Sequence, residues 1–373
     1  MPLSYQIFSP PFLKTAICAR AQYILLALSI PLQNWQIHHA SHFLWLNCFM
    51  HVHSVSQLVI TKGGSQRVNV PPLKCQGIKT KLVEWIKDHA ILEADGTWIE
   101  PFMGSGVVGF NVRPNRAIFA DVNPHIINFY NSIKLGRITA GIAKEFLEKE
   151  GALLQAKGEE HYYEIRERFN KDGDSLNLLF LNRACFNGIM RFNKKGGFNV
   201  PFGHKPERFS KSYITKITNQ IKYVTQATSQ YDWKFVCADF RKTISTATQK
   251  DFIYCDPPYI GRHVDYFNSW SEQDEQELYD LLASVPAKFI LSAWHSNQYR
   301  KNSAVEKYAN RFTVLTREHF YHVGASEKNR NPMLEAIILN YNPIPPMEIE
   351  LEKQLALFEK QHKDDRVVYA HKN

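Results

Sequence analysis

No aspartate or glutamate occurs before Glu84, although the chain of 373 residues holds 36 acids. Up to residue 68 the charged side chains, histidine aside, are Lys14, Arg20, Lys62 and Arg67. A stretch with no acids and no clean apolar periodicity is unlike the remainder. Three readings stay open for residues 1–68: an upstream leader that never folds, an extension that packs on the core, or a targeting peptide. The last is acid-poor as such peptides are, but lacks their dense Arg/Ser pattern. Its histidines His38, His39, His42, His51 and His53 have neither helical nor finger spacing with cysteine, so no metal site is expected. Membrane-length apolar runs are also missing: the stretch 23–30 is far too short to span a bilayer, and no other segment reaches that length. Cys-x-x-Cys is absent. Cys18, Cys48, Cys75, Cys185, Cys237 and Cys255 therefore read as reduced thiols of a cytoplasmic protein, with neither a disulfide framework nor a zinc site. No internal repeat is visible.

What is present suits a large folded domain. Hydrophobic residues make up 44% of the chain and aromatics 13%, enough for a full core. The net charge of +9 suits a polyanionic partner. Without the four early cations the remainder carries 41 Lys and Arg against 36 acids, a net of +5. Such a mild excess matters only where the charges cluster.

The most informative residues are Asp256-Pro257-Pro258-Tyr259, at the end of the apolar run Asp251-Phe252-Ile253-Tyr254-Cys255. Alone, they read equally as a buried strand followed by a Pro-rich turn. A carboxylate and a proline carbonyl at a strand's end can also accept both N–H bonds of an exocyclic amine. The prolines stiffen the turn and carry no competing N–H, and Tyr259 offers a stacking face. Upstream, Thr97-Trp98-Ile99-Glu100-Pro101-Phe102-Met103-Gly104-Ser105-Gly106 is a short strand running into a Gly-x-Gly turn before an apolar stretch. Such a turn lets backbone approach a ligand, with helix N–H groups aimed at it. Asp121 closes a second strand, where a ribose hydroxyl pair would be held. A third strand, from Trp233 to Ala238, ends in Asp239-Phe240.

These blocks, in this order, resemble the Dam-like (D12 class) DNA adenine-N6 methyltransferase family. The first matching block is Pro72-Leu73-Lys74-Cys75-Gln76-Gly77-Ile78-Lys79. The second is Glu100 to Gly106 with Asp121. The third runs from Asn182-Arg183-Ala184-Cys185-Phe186-Asn187-Gly188 to Phe198-Asn199-Val200-Pro201-Phe202-Gly203, and the fourth is Asp256 to Tyr259. Together they span roughly residues 71–342, and the third and fourth are the specific ones. The chain departs from the pattern at Cys75, where the family usually has Trp, and at Gln76-Gly77-Ile78 in place of Ala-Gly-Gly.

The resemblance implies a Rossmann-like α/β fold: a mixed, seven-stranded methyltransferase sheet with an inserted target-recognition subdomain. It divides the chain into an extension (1–68), a catalytic domain (69–159 and 231–342), a DNA-recognition insertion (160–230) and a C-terminal helix and tail (343–373). The strand from Leu334 to Asn340 is expected as the sheet's antiparallel edge. Ile142, Phe146, Leu153 and Leu154 should point inward from a helix over 141–156, and Ser271-x-x-Asp274 should cap a helix buried through Leu278, Leu281, Leu282 and Val285.

By the same resemblance, the cofactor is S-adenosyl-L-methionine. It would be held by Cys75, Lys79, Phe102, Gly104, Gly106, Asp121, Asp239, Phe240 and Asp256, with Lys79 near the methionine carboxylate. Asp256, Pro257 and Tyr259 would be catalytic, on an adenine flipped out of duplex DNA. Arg183, Asn187, Arg191, Lys194 and Lys195 would contact DNA from the basic, aromatic-studded insertion, where Lys194-Lys195-Gly196-Gly197 makes a hairpin-like turn. The implied protein is a cytoplasmic monomer. An orphan role and a restriction–modification role beside a separate endonuclease both stay open. So do two other functions: a cytosine-N4 methyltransferase, which usually carries Ser in place of Asp256, and a DNA-binding protein weakened in catalysis.

Overall fold

The computed structural model describes residues 67–193, 195–259, 270–296, 301–320 and 332–343. Residues 1–66 with Cys18, Cys48 and the histidine cluster, Lys194, and the helix expected over 348–360 lie outside the described residues.

Strand and helix alternate through most of the chain. The strands are β1 (Trp98–Glu100), β2 (Arg116–Asp121), β3 (Asp232–Cys237), β4 (Phe252–Cys255), β5 (Lys288–Ser296), β6 (Thr313–Phe320) and β7 (Pro332–Leu339). They form one seven-stranded sheet in the order β3-β2-β1-β4-β5-β7-β6. The pairs from β3 through β5 are parallel, while β7 runs antiparallel to both β5 and β6. The mixed sheet is the expected one, with one correction. The strand containing Leu334 is not an edge: it lies between β5 and β6, and β6 takes the edge. Its side chains explain the placement, because Ala336, Ile337, Ile338 and Leu339 are all buried, and a strand with both faces covered belongs inside a sheet.

Alternate residues feed two cores, as the two-residue period of a strand requires. Trp98, Phe252, Tyr254, Ile290 and Ile337 face one layer, and Ile99, Ile253, Cys255, Leu291 and Ile338 the other. The first layer holds α1 (Val83–His89), α2 (Val107–Val112), α3 (Pro124–Lys134), α4 (Ala140–Lys157), α5 (Glu159–Asp172), α6 (Ser175–Ala184) and α7 (Lys211–Gln230). The second holds α8 (Phe240–Ile244), α9 (Glu272–Ser284) and α10 (Ser303–Ala309). No helix among the described residues is long and apolar enough to cross a membrane.

The helices start where local chemistry starts them. Thr139 accepts the Ile142 N–H at the head of α4, and Asp174 accepts the Asn177 N–H at the head of α6. Ser271 and Asp274 form a complete capping box on α9. Of the α9 face expected inward, Leu278 and Leu282 are buried, while Leu281 and Val285 are only half-buried. In α4 the buried line runs through Ala143, Leu147 and Leu154, which turns Ile142 out to 41% exposure. Ile142 lies one position before that line, so a 100° step takes it off the face.

Val68 packs on the core, and Asn69 exchanges two hydrogen bonds with Asn111 of α2. Helix α4 packs on α5, α6 and α7, and Phe209 sits against Gly151 where a Cβ would be 2.6 Å away. Within this layer, residues 185–203 form a long loop cross-linked like a hairpin, with bridges Cys185–Phe202 and Phe192–Phe198. Its tip is tied by Asn193 N–H to Gly197 O and Gly196 N–H to Asn193 O, each 2.8 Å.

Candidate active site

In the strand order, β1 is flanked by β2 on one side and β4 on the other, so the crossovers leave in opposite directions from this point. A crevice opens there outside the carboxyl ends of the parallel strands. All four strand-end motifs converge on it. The cavity, about 220 Å³, is lined by Cys75 to Lys79, Glu100 to Ser105, Asp121 to Asn123, Asp239 to Arg241, Asp256 to Tyr259 and Trp270, among others. That is several times the roughly 30 Å³ share of a water molecule.

The Gly turn after β1 is built for close approach. Gly104 and Gly106 both take positive φ, 47° and 73°. A Cβ on Gly104 would meet nothing nearer than Cys75 Cβ at 3.9 Å, so its face is open. A Cβ on Gly106 would lie 2.7 Å from the Phe110 ring. Asp121 fastens this turn to β2. One carboxylate oxygen accepts the Gly104 N–H and the other the Asn123 N–H, both at 2.9 Å. Burial raises the Asp121 pKa, and those two N–H groups oppose it. Each oxygen keeps a lone pair beyond these bonds.

Lys79 and Asp256 form the electrostatic centre. The Lys79 side chain is 4% exposed, and its Nζ lies 2.7 Å from Asp256 Oδ1 and 2.9 Å from Gly77 O. Burial pulls the ammonium's pKa down most strongly of any single influence, but Asp256, together with Tyr259, Tyr254 and Glu335, outweighs it, and the net lies well above the ordinary lysine value. Ser292 Oγ donates to Asp256 Oδ1 at 3.0 Å from β5, and Tyr259 OH reaches the same oxygen at 3.4 Å. The Asp256 side chain keeps 22% exposure, into the cavity. The Tyr259 ring centre stands 5.3 Å from Lys79 Nζ.

Across the cavity is an aromatic wall. Phe102 and Phe240 stack at 5.4 Å, and Trp270 meets both, edge-on to Phe102 at 5.5 Å. Asp239 caps α8 by accepting the Arg241 N–H. The Arg241 guanidinium is held by Asp239 at 3.0 Å, Asp274 at 2.6 Å and Glu277, which fixes α8 against α9 at the cavity's rim.

Sequence reasoning missed several groups in the cavity wall or bonded to it. Glu100 is 2% exposed, yet its Oε2 accepts the Trp98 indole N–H at 3.0 Å and the Gly109 N–H at 3.1 Å. Burial pushes its pKa up to about 8. A lone acid inside an apolar strand was the available signal. Arg241, Trp270 and Asn123 sit beside predicted motifs. Ser292 carried no signal, because its partner Asp256 is 36 residues away. Burial, with Asp121 adding to it, raises the Cys75 thiol far above its ordinary value.

The residues expected on DNA divide. Arg183 is 2% exposed, and its guanidinium bonds to Pro72 O, Gln220 Oε1 and Tyr213 OH. It is an internal strut, which corrects its assignment as a DNA contact: it ends the buried face of α6 and points into the protein. Asn187 is exposed in left-handed conformation (φ 53°) beside Phe186, itself 47% exposed. Arg191 is half-buried, holding Asn199 by Nε at 2.9 Å. Lys195 is exposed at the hairpin tip.

Comparison with known proteins identifies a family. The family model described as D12 class N6 adenine-specific DNA methyltransferase matches residues 76–323. A DNA adenine methylase of Vibrio cholerae is 38% identical over 191 residues, covering 50% of this chain and 64% of that protein's length. A DNA adenine methylase of Serratia marcescens is 34% identical over 218 residues, 55% of this chain and 75% of the relative. The type II methyltransferase M.FokI of Planomicrobium okeanokoites is 28% identical over 280 residues, 72% of this chain and 42% of the relative.

Proposed function

The chain belongs to the D12 class N6 adenine-specific DNA methyltransferase family, and we propose that it methylates the N6 amino group of an adenine flipped out of duplex DNA. The observation that carries this reading is the convergence of Asp256, Pro257 and Tyr259 with the Gly104–Gly106 turn and Asp121 on one cavity. The methyl donor is S-adenosylmethionine, and the cavity's walls fit it. Phe102 and Phe240 offer an aromatic face, Asp121 keeps acceptor lone pairs, and Gly104 leaves its turn open to a ligand. Cys75, Lys79 and Asp239 line the same cavity, and Gly106 shapes its turn through a positive φ of 73°. When bound, this group supplies an electrophilic methyl.

The protein's own residues would prepare the acceptor. An adenine amino nitrogen is a poor nucleophile, because its lone pair is delocalised into the ring. Asp256, with the Pro257 carbonyl, accepts its two N–H bonds and favours a pyramidal nitrogen. The same acceptors stabilise the positive charge that develops there. Lys79 and Ser292 hold the Asp256 carboxylate in place before any substrate arrives, so little reorganisation is needed. Tyr259 gives the extruded base a stacking face, with a cation–π gain as the base becomes cationic. A base within the duplex cannot reach this cavity, so flipping is required. Asn187, Arg191 and Lys195 hold the duplex from the 185–203 loop. The enzyme would work where the DNA is, in the cytoplasm, as a monomer, with an endonuclease acting separately if it serves restriction–modification.

Incubating the full chain with duplex DNA and methyl-labelled S-adenosylmethionine, followed by nucleoside analysis, tests this. Label in N6-methyladenine is expected. Label only in N4-methylcytosine, or only on protein, sinks the assignment.

A further inference from the structure

At the foot of the 185–203 loop, three cations gather around one phenol. Lys74 Nζ stands 6.0 Å from the Tyr213 ring centre, the Arg183 guanidinium 5.7 Å and the Arg208 guanidinium 5.6 Å. No carboxylate among the described residues pairs with any of the three. Elsewhere the protein pairs its cations with acids: the buried Lys79 has Asp256, and the partly exposed Arg241 has three acids. A partly buried group of like charges with no counter-ion is costly by itself, and its usual resolution is an anion from outside.

Other features point the same way. Arg183 is buried, and both its terminal nitrogens bond inside the protein, so its charge stays there. Lys74 and Arg208 are half-buried and reachable, and both charges act on the Cys185 thiol at the loop's base. Tyr213 lies in the first turn of α7, a helix of 20 residues whose N-cap Ser210 makes no side-chain cap bond. The helix therefore leaves its first N–H groups, and the positive end of its dipole, available beside these cations.

The cluster is tied to the cavity by short contacts. Lys74 N–H donates to Asn182 Oδ1 and Lys74 O accepts from Asn182 Nδ2, both at 2.8 Å. Lys74 Cδ also fills the space where a Gly188 Cβ would be, at 2.7 Å. The next residues, Cys75 to Lys79, line the cavity.

We propose that Lys74, Arg208 and the start of α7 form an anion site that takes one backbone phosphodiester of the DNA and sets the duplex at a fixed offset from the cavity. The proposal rests on the methyltransferase reading, since that reading brings DNA to this face. Arg183 supplies a fixed internal charge beneath the site, and Tyr213 spaces the three cations.

The test is duplex affinity of the full chain against salt concentration, for wild type and Arg208→Gln. The variant is expected to lower the log–log salt slope by about one and to weaken binding by a similar factor on every duplex sequence. A variant that keeps the wild-type slope, or loses discrimination at a single base position, overturns the assignment. If Arg208→Gln loses its cooperative melt, Lys74→Gln is read instead, with the same expected drop of about one. Inorganic phosphate alone is titrated in parallel. Its binding with an unchanged DNA slope in the variants would make this a site for the free ion and overturn the proposal. A wild type that methylates adenine while the variants keep the full slope sinks only this inference. A wild type that binds no duplex at any salt sinks it together with the reading beneath it.

Discussion

Replacing Lys79 with Met separates a charge from its partner while keeping most of the side chain's bulk. Lys79 Nζ and Asp256 Oδ1 are 2.7 Å apart, and the lysine side chain is 4% exposed. At an effective dielectric of about 20 the gross attraction is roughly 6 kcal/mol. Much of it is offset by the desolvation of both ions. Removing one partner of a buried pair nevertheless costs about 3–5 kcal/mol, because an uncompensated charge remains. Here the lower end applies. Asp256 stays 22% exposed to the cavity and keeps the Ser292 hydroxyl at 3.0 Å. Lys79→Met should therefore lose about 3 kcal/mol and melt roughly 6–10 °C lower. Adding Asp256→Asn removes the orphaned charge, so the double variant should recover at least half of the loss. Thermal melts of the four proteins form a double-mutant cycle. A Lys79→Met melt within about 1 °C of wild type, or losses that simply add, would refute the reasoning.

Glu100 predicts a pH dependence. Its pKa is raised by burial from an ordinary 4.5 to about 8, so the folded state binds a proton that the unfolded state releases. Stability should then fall as pH rises from about 4.5 to about 8, by a few kcal/mol at most, and level off above. Glu100→Gln should flatten that slope in melts of the protein alone, and an unchanged slope would remove Glu100 as its source. Gly106→Ala puts a Cβ at φ 73° and 2.7 Å from the Phe110 ring. Left-handed strain alone costs about 1–2 kcal/mol, so the melt should drop and S-adenosylmethionine binding by calorimetry should weaken. A variant equal to wild type in both would show that the turn has another way to close.

The sequence exposes this protein's chemistry better than its connections. Asp256-Pro257-Pro258-Tyr259 was legible because a strand's end and a proline turn are local features. Asp121 was legible as a strand-end acid, but its commitment to the Gly104 and Asn123 N–H groups was not. Lys79 illustrates the limit. It reads as a cavity lysine, yet its partner is 177 residues away, and nothing local announces that pairing. Arg183 was misassigned because composition marks a region as basic without showing which charges turn inward. The strand β7 was misplaced because a period of two reveals which faces are buried and says nothing of neighbours. Its buried run from Ala336 to Leu339 carried the clue, since an edge strand seldom hides both faces.

Single-turnover methylation by wild type and Asp256→Ala, read as N6-methyladenine formed per duplex, tests the role of the cavity most directly. Loss of one aimed acceptor is worth about 3–4 kcal/mol in the transition state, or roughly 10²–10³ in rate. The variant should fall by that factor while its affinity for duplex DNA stays near wild type. A variant that keeps more than about a tenth of the wild-type rate would remove Asp256 from the chemistry and contradict the reading of this site.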